Sequence, residues 1–224
     1  MTSILISIIW LLLTDSQPTI KKPVQLEHGS IGVWTGPKIL LNKQNRGTEE
    51  FQISQSVQNI LQDKSGTFWI GTGKDGVCLF DGTNYSYFTT KEGLTGNSVR
   101  TILQDRNGDV WIATNGGITR RNKQGLYAYT TANGLPDNEV LTLHMDKKGQ
   151  IWAGTRKGLA MFEKDEFMTL PMYRAPRNEK DLPVQTPVHM IYEDNSGQLW
   201  FGTDGFGLFK FNGKTLENVI KPGC

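Results

Sequence analysis

The sequence predicts an all-β protein: a β-propeller of four-stranded antiparallel blades, four of them complete, with a degenerate blade on the N-terminal side. Three observations carry that prediction. The frame D-x-x-G-x-x-W-x-[GA]-T recurs four times, beginning at Asp63, Asp105, Asp146 and Asp194. Its tryptophans, Trp69, Trp111, Trp152 and Trp200, stand 42, 41 and 48 residues apart. No segment sustains an apolar period of 3.6 residues, so no amphipathic helix is available to build a core.

The second unit shows how each element arises. "SVRTILQD" (98–105) is apolar at Val99, Ile102 and Leu103 and ends in the turn "DRNG". "DVWIAT" (109–114) follows and is rich in β-formers. "NGG" turns the chain into "ITRRN" (118–122), and "GLYAYT" (125–130) closes the unit. The turn has a mechanism. An aspartate side chain accepts hydrogen bonds from the backbone two residues on, and glycine adopts the positive φ that side chains resist.

Four short strands cannot bury both faces of their sheet alone. Repetition every 40–50 residues therefore means blades stacked face to face around an axis. Trp in the second strand packs on the neighbouring sheet, worth at most about 4–6 kcal/mol by area. Gly71, Ala113, Gly154 and Gly202, two residues on, leave room where sheets approach.

The 199 residues after position 25 hold about 4.7 such units, which excludes a seven-bladed ring. Full blades are expected at 56–97, 98–138, 139–186 and 187–224. Upstream, "GVWTGPKILLNKQNRGTEEFQIS" (32–54) echoes three of the four strands, so 26–55 is expected to form a partial blade. The result is a five-bladed ring or an incomplete propeller whose open edge must pair with something else. "ILISIIWLLL" (4–13) suits a secretory apolar segment, although no Lys or Arg precedes it and no small-x-small site follows. Residues 1–25 are expected to be a signal peptide or membrane tether, making the protein periplasmic or membrane-tethered.

The 24 basic and 22 acidic residues are mixed along the chain, with a formal net charge of +2 and no basic stripe, so nucleic acid is not expected as a partner. Cys78 and Cys224 make no disulfide framework; Cys78, in "GVCLF", reads as a small buried hydrophobe. No metal or cofactor is expected. His144 and His189 fall in different layers of the first strands, and "DRNGD" (105–109) lacks the spacing and distal glutamate of a calcium loop. No nucleophile–base frame is present, which points away from an enzyme.

"LQDRNGDVWIATNGGITR" followed by "YTTANGLPDN", with "GFGLFKFNG" in the last unit, resembles the two-component regulator propeller repeat over about residues 56–220. The resemblance implies the extracytoplasmic sensor region of bacterial hybrid histidine kinases. In that family two seven-bladed propellers precede an immunoglobulin-like domain, a membrane helix and a kinase. This sequence departs in blade number and carries no kinase, so sensing or binding is what transfers. The implied partner is a small molecule (an oligosaccharide being one candidate) or a membrane sensor kinase, with a homodimer as a further way to close the ring. Two rivals are a propeller lyase, since streptogramin lyases share similar repeats, and a truncated sensor fragment without function.

Candidate ligand-binding residues lie where the repeat varies. The second-to-third-strand loops supply Lys74, Asp75, Asn115, Arg156, Lys157 and Asp204. The third interblade connection, "PMYRAPRNEKDLPVQTP" (171–187), is longer than the others and supplies Tyr173, Arg174 and Arg177, suited to stacking on a sugar or pairing with a carboxylate. On the first strands, His189, Arg100 and Gln58 share a register and are expected to form a polar ring at the channel mouth. His144 stands where two other blades have leucine and is expected to be a satisfied core residue. Leu94 and Leu135, in "KEGLTGN" and "NGLPDN", are expected to plug between blades.

Overall fold

The structure is a computed structural model that describes residues 24–26, 54–174 and 182–219. It is an all-β propeller with four blades. The first consists of β2 (Val57–Gln62), β3 (Phe68–Thr72), β4 (Val77–Phe80) and β5 (Tyr85–Phe88). The second holds β6 (Val99–Gln104), β7 (Val110–Thr114), β8 (Gly117–Arg121) and β9 (Leu126–Tyr129). The third holds β10 (Val140–Met145), β11 (Ile151–Thr155), β12 (Gly158–Glu163) and β13 (Glu166–Leu170). The fourth holds β14 (Val188–Glu193), β15 (Leu199–Thr203), β16 (Leu208–Phe211) and β17 (Leu216–Asn218). The four strands of each blade pair antiparallel in chain order.

The aspartate turn works as its chemistry predicts and does one thing more. In the second blade Asp105 Oδ1 accepts from the backbone N–H of Asn107 at 2.9 Å and of Asp109 at 3.0 Å, while Gly108 takes φ 91°. The other carboxylate oxygen reaches the indole N–H six residues on, and this recurs in every blade: Asp63–Trp69 at 2.8 Å, Asp105–Trp111 at 2.9 Å, Asp146–Trp152 at 3.0 Å and Asp194–Trp200 at 2.9 Å. A buried indole needs an acceptor, and the turn supplies it.

Three apolar layers fill the three junctions between consecutive blades. Trp69, Val77 and Phe88 of the first blade meet Val99, Ile102 and Ile112 of the second. Trp111, Ile118 and Tyr129 meet Val140, Leu143 and Phe167. Trp152 and Leu159 meet Val188, Phe201 and Phe209.

The connectors aim their plugs. A short 3-10 turn at Thr90–Glu92 is capped by Thr89 with Glu92 returning to the Thr89 backbone, and Thr131–Asn133 is capped in the same way by Thr130 and Asn133. Leu94 and Leu135 follow, hydrogen-bonded back to Thr89 and Thr130, and both are buried as expected. The described residues of the third connector show no such turn, and Met172 there is fully buried in the layer between the third and fourth blades.

The N-terminal expectations fall mostly outside the described residues. That holds for the apolar run at 4–13 and for nearly all of the partial blade at 26–55. What is described is β1 (Val24–Leu26), which runs antiparallel to the outer strand of the second blade with Val24 opposite Ala128 and Leu26 opposite Leu126. The boundary drawn at residue 25 thus falls within a strand. An outermost strand such as β9 presents unpaired N–H and C=O groups, and an extended segment satisfies them.

Candidate functional site: the loop face

Each blade is entered and turned at one end. The residue before the first strand accepts a hydrogen bond from the first residue of the second-to-third-strand loop: Ser56 from Gly73 at 2.9 Å, Ser98 from Asn115 at 3.1 Å, Glu139 from Arg156 at 3.0 Å and Pro187 from Asp204 at 3.0 Å. The first strand then shifts register about its second residue in all four blades, at Gln58, Arg100, Leu141 and His189. One backbone device therefore presents Asn115, Arg156 and Asp204 at equivalent places, with Arg100 and His189 beside them on the first strands.

The side chains on that device differ from blade to blade. Asp75 accepts from Ser54 Oγ at 2.9 Å, and its own N–H donates to Thr72 Oγ1 at 2.8 Å; Lys74 next to it is exposed. Asn115 Oδ1 accepts from the Ser98 N–H at 3.2 Å. Asp204 is exposed, and its carbonyl accepts from Thr186 Oγ1 at 2.6 Å.

At the entry to the third blade the charges converge. Arg156 grips Glu139 with both arms of its guanidinium, Nε to Oε2 at 2.6 Å and Nη2 to Oε1 at 2.9 Å. Arg100 of the preceding blade approaches the same carboxylate at 3.8 Å. Lys157 pairs with Asp137 at 2.9 Å, and Asp137 also accepts from the Glu139 N–H at 2.8 Å. Arg156 holds the Glu139 carboxyl below its ordinary range, with partial burial opposing and Arg100 adding to the effect. For Asp137, burial pushes upward, but the Glu139 N–H and Lys157 outweigh it and the net shift is downward. Exposed pairs of this kind contribute little to folding. They do hold the Arg156 guanidinium in one orientation on an exposed surface, with its Nη1 end left for other acceptors.

Of the residues expected at a site, Arg100, Arg156 and Lys157 are brought into one cluster. Asn115, Asp75, Lys74 and Asp204 share the face but not the cluster. The expected polar ring of Gln58, Arg100 and His189 is not joined by any described contact: Gln58 donates to Ser56 Oγ at 2.7 Å, Arg100 leans on Glu139, and His189 is exposed. Tyr173 and Arg174 lie elsewhere, lining a cavity of about 500 Å³ on the outer strands of the third and fourth blades together with Leu170, Pro171, Lys214 and Glu217. Arg177 lies outside the described residues.

His144 corrects an expectation. It stands opposite the blade's tryptophan as the leucines do and is half-buried, but it is not satisfied: its Nε2 is buried with no hydrogen-bond partner among the described residues. Burial lowers its pKa, against the pull of Glu193 and Asp146. Cys78 is fully buried, and burial pushes its thiol up to about 11 despite a hydrogen bond with Tyr87. Among the described residues no three His, Cys, Asp or Glu side chains converge as metal ligands would.

Sequence reasoning missed Glu139 and Asp137, which it placed in or beside a connector valued only for its leucine. The signal was present. Glu139 stands where the other blades have Ser56, Ser98 and Pro187, so one blade in four puts a carboxylate at the mouth of the scaffold.

Comparison with known proteins follows the same blade boundaries. The family model described as a two component regulator propeller matches residues 52–74, 93–116, 134–157 and 181–205. Each match covers the first two strands of one blade. Among solved structures, the extracellular domain of a hybrid two component system from B. thetaiotaomicron aligns with a TM-score of 0.54 at 19% identity, covering 71% of this chain and 21% of that one. Virginiamycin B lyase from Staphylococcus aureus aligns with 0.54 at 16% identity, covering 75% and 56%. PorZ, a surface component of the type-IX secretion system of Porphyromonas gingivalis, aligns with 0.52 at 15% identity, covering 73% and 28%. At such identities the likeness is one of fold, and the chain spans about a fifth of the length of the hybrid-system domain. No curated protein matches the chain. The chain thus carries four two component regulator propeller repeats, one to each blade.

Proposed function

We propose that this protein is an extracytoplasmic recognition module of two-component type, which binds a polar ligand of the oligosaccharide class on its loop face and passes occupancy to a membrane sensor kinase. The observation that carries the reading is the Arg100–Glu139–Arg156 and Asp137–Lys157 cluster. It sits on a backbone device common to all four blades, yet its charges converge only at the entry to the third blade, with Arg100 reaching in from the second. A rigid scaffold with one chemically distinct mouth is how repeat proteins place a binding site.

In this reading the chain performs no chemistry of its own. The lyase alternative needs a convergent acid or base. His144 is half-buried with its Nε2 enclosed and without a partner among the described residues, and His189 is exposed without a partner carboxylate in any described contact.

Isothermal titration against neutral and acidic oligosaccharides tests the proposal. Binding by one class is expected. Arg156→Ala and Arg100→Ala should each weaken it about tenfold or more, the loss of one charge-assisted contact. Lys64→Ala at the opposite end of the blades should leave it unchanged. No heat with any member of the panel overturns the ligand class, and an affinity indifferent to Arg156 overturns the site.

A further inference from the structure

Among the described residues two blade faces are exposed, and repeat register shows that they carry the two halves of one junction. The first residue of each first strand is valine. Val99, Val140 and Val188 are 0% exposed, but Val57 is 47% exposed. Three residues on, Ile102 and Leu143 are 5% and 6% exposed, whereas Ile60 is 62% exposed. The first blade therefore displays bare the pattern that the second, third and fourth blades bury against their predecessors.

The fourth blade displays the other half. Val77, Ile118 and Leu159 begin the apolar third strands and are 0% exposed; Leu208, in the same register opposite Gly202, is 40% exposed. Tyr192, at the place of Leu61, Leu103 and His144, is 60% exposed. Trp200 lacks the full cover of the other three indoles.

The polar stitching of a junction is half-formed as well. Gln104 donates to the carbonyl of Gly108 in its own turn at 3.0 Å and offers Oε1 to the Lys64 N–H of the preceding blade, also at 3.0 Å. Gln62 repeats the first of these bonds, to Gly66 at 3.2 Å, on the first blade. The residue after each turn aspartate reaches forward to the next blade's turn: Lys64 to the Arg106 carbonyl at 3.1 Å, Arg106 to the Lys147 carbonyl, and Lys147 to the Asp194 carbonyl at 2.7 Å. Asn195, a shorter donor, holds that place on the fourth blade.

We propose that a second copy of this chain completes the ring, with the fourth blade of each copy packing on the first blade of the other. The three junctions among the described residues join the same two surface patterns, and among those residues one of each stands exposed. Two copies related by a two-fold axis use both leftovers twice and create no new kind of contact. Pairing two fourth blades would instead set Trp200 against Trp200, a combination found at none of the three junctions. Head-to-tail contacts close when the rotation permits and otherwise run on as filaments, so a closed ring of two makes a sharp claim about size.

The test is the mass of the full chain in solution by sedimentation equilibrium at tens of micromolar. Twice 25.1 kDa is expected. Two variants address the two faces separately. Ile60→Asp changes an exposed residue of the first blade. Gly202→Leu changes the fourth blade, where an added Cβ meets Met190 Cβ no closer than 3.4 Å. Across a formed junction the same addition at Gly71 meets Val99 Cγ1 at 2.7 Å. Either variant alone should give a folded monomer, with unchanged far-ultraviolet circular dichroism. Val57→Cys combined with Gly202→Cys should give a covalent dimer on a non-reducing gel, because the corresponding Cβ positions at Gly71 and Val99 lie 3.2 Å apart. A wild-type monomer overturns the proposal, whether its faces stay bare or residues 27–53 of the same chain cover one. So does a filament, or a dimer that survives Ile60→Asp, since that would place both fourth blades together.

Discussion

Asp105 and Trp111 are tied by a hydrogen bond from the indole N–H to Oδ2 at 2.9 Å, and both residues are buried. The same carboxylate holds the turn with its other oxygen. Asp105→Ala strands a buried indole N–H and loosens the turn at once. Chemical denaturation should show a loss of about 2–4 kcal/mol. Asp105→Asn keeps one acceptor oxygen and should lose less. At protein concentrations low enough to keep the chain monomeric, Asp194→Ala should cost less than Asp105→Ala, because Trp200 is only half-buried there and water can reach its N–H.

Arg120 spans the second junction. Its Nε and Nη2 meet Asp109 Oδ2 at 2.8 and 2.7 Å, and its guanidinium lies 5.0 Å from the Trp111 ring centroid and 5.7 Å from that of Phe162. Arg120→Ala leaves Asp109 buried without its partner and uncovers two rings. A loss of about 2–3 kcal/mol is expected, with Arg120→Lys recovering only part of it because an ammonium cannot stack. Urea midpoints of the two variants check this.

Gly154 and Gly202 occupy one repeat position with opposite surroundings. A Cβ at Gly154 would stand 2.5 Å from the Val188 carbonyl oxygen, so Gly154→Ala should destabilise by about 1–3 kcal/mol. At Gly202 the nearest atom is 3.4 Å away, and Gly202→Ala should fall within about 0.5 kcal/mol of wild type. Thermal melts at low protein concentration compare the two.

Stability should fall on mild acidification because of His144. Its folded-state pKa is lowered, chiefly by burial. The unfolded chain therefore binds the proton more readily, and the stabilisation is complete above about pH 6.5 and declines as pH falls through that value toward the lowered one. His144→Leu, the residue at this place in the first two blades, should remove that part of the slope between urea midpoints measured at pH 7.5 and pH 5. The lowered carboxyls of Asp63, Asp137 and Glu139 act in a separate window. Their contribution is present above about pH 4 and is lost below it.

Leu94 and Leu135 were legible as plugs because the same connector wording recurs, and repetition at fixed register is evidence of a common environment. Met172, which does the same work in the third connector, was not legible, because that connector has its own length and composition. Arg156 was legible as a variable loop cation and Arg100 as a polar first-strand residue. Their meeting on Glu139 was not, since Arg100 and Glu139 are 39 residues apart and adjoin only because consecutive blades stack.

The sequence alone determined the blade: its four strands, the aspartate turn, the position of the indole and the small residue that admits a neighbour. These follow from chemistry within a few residues and from a period that repeats. Tertiary structure decided which carboxylate answers which arginine, which histidine lost its partner, and that Val57 and Leu208 stand uncovered. A repeat specifies each face identically, and burial depends on whether another blade lies against it. That is a property of the stack and not of any one unit.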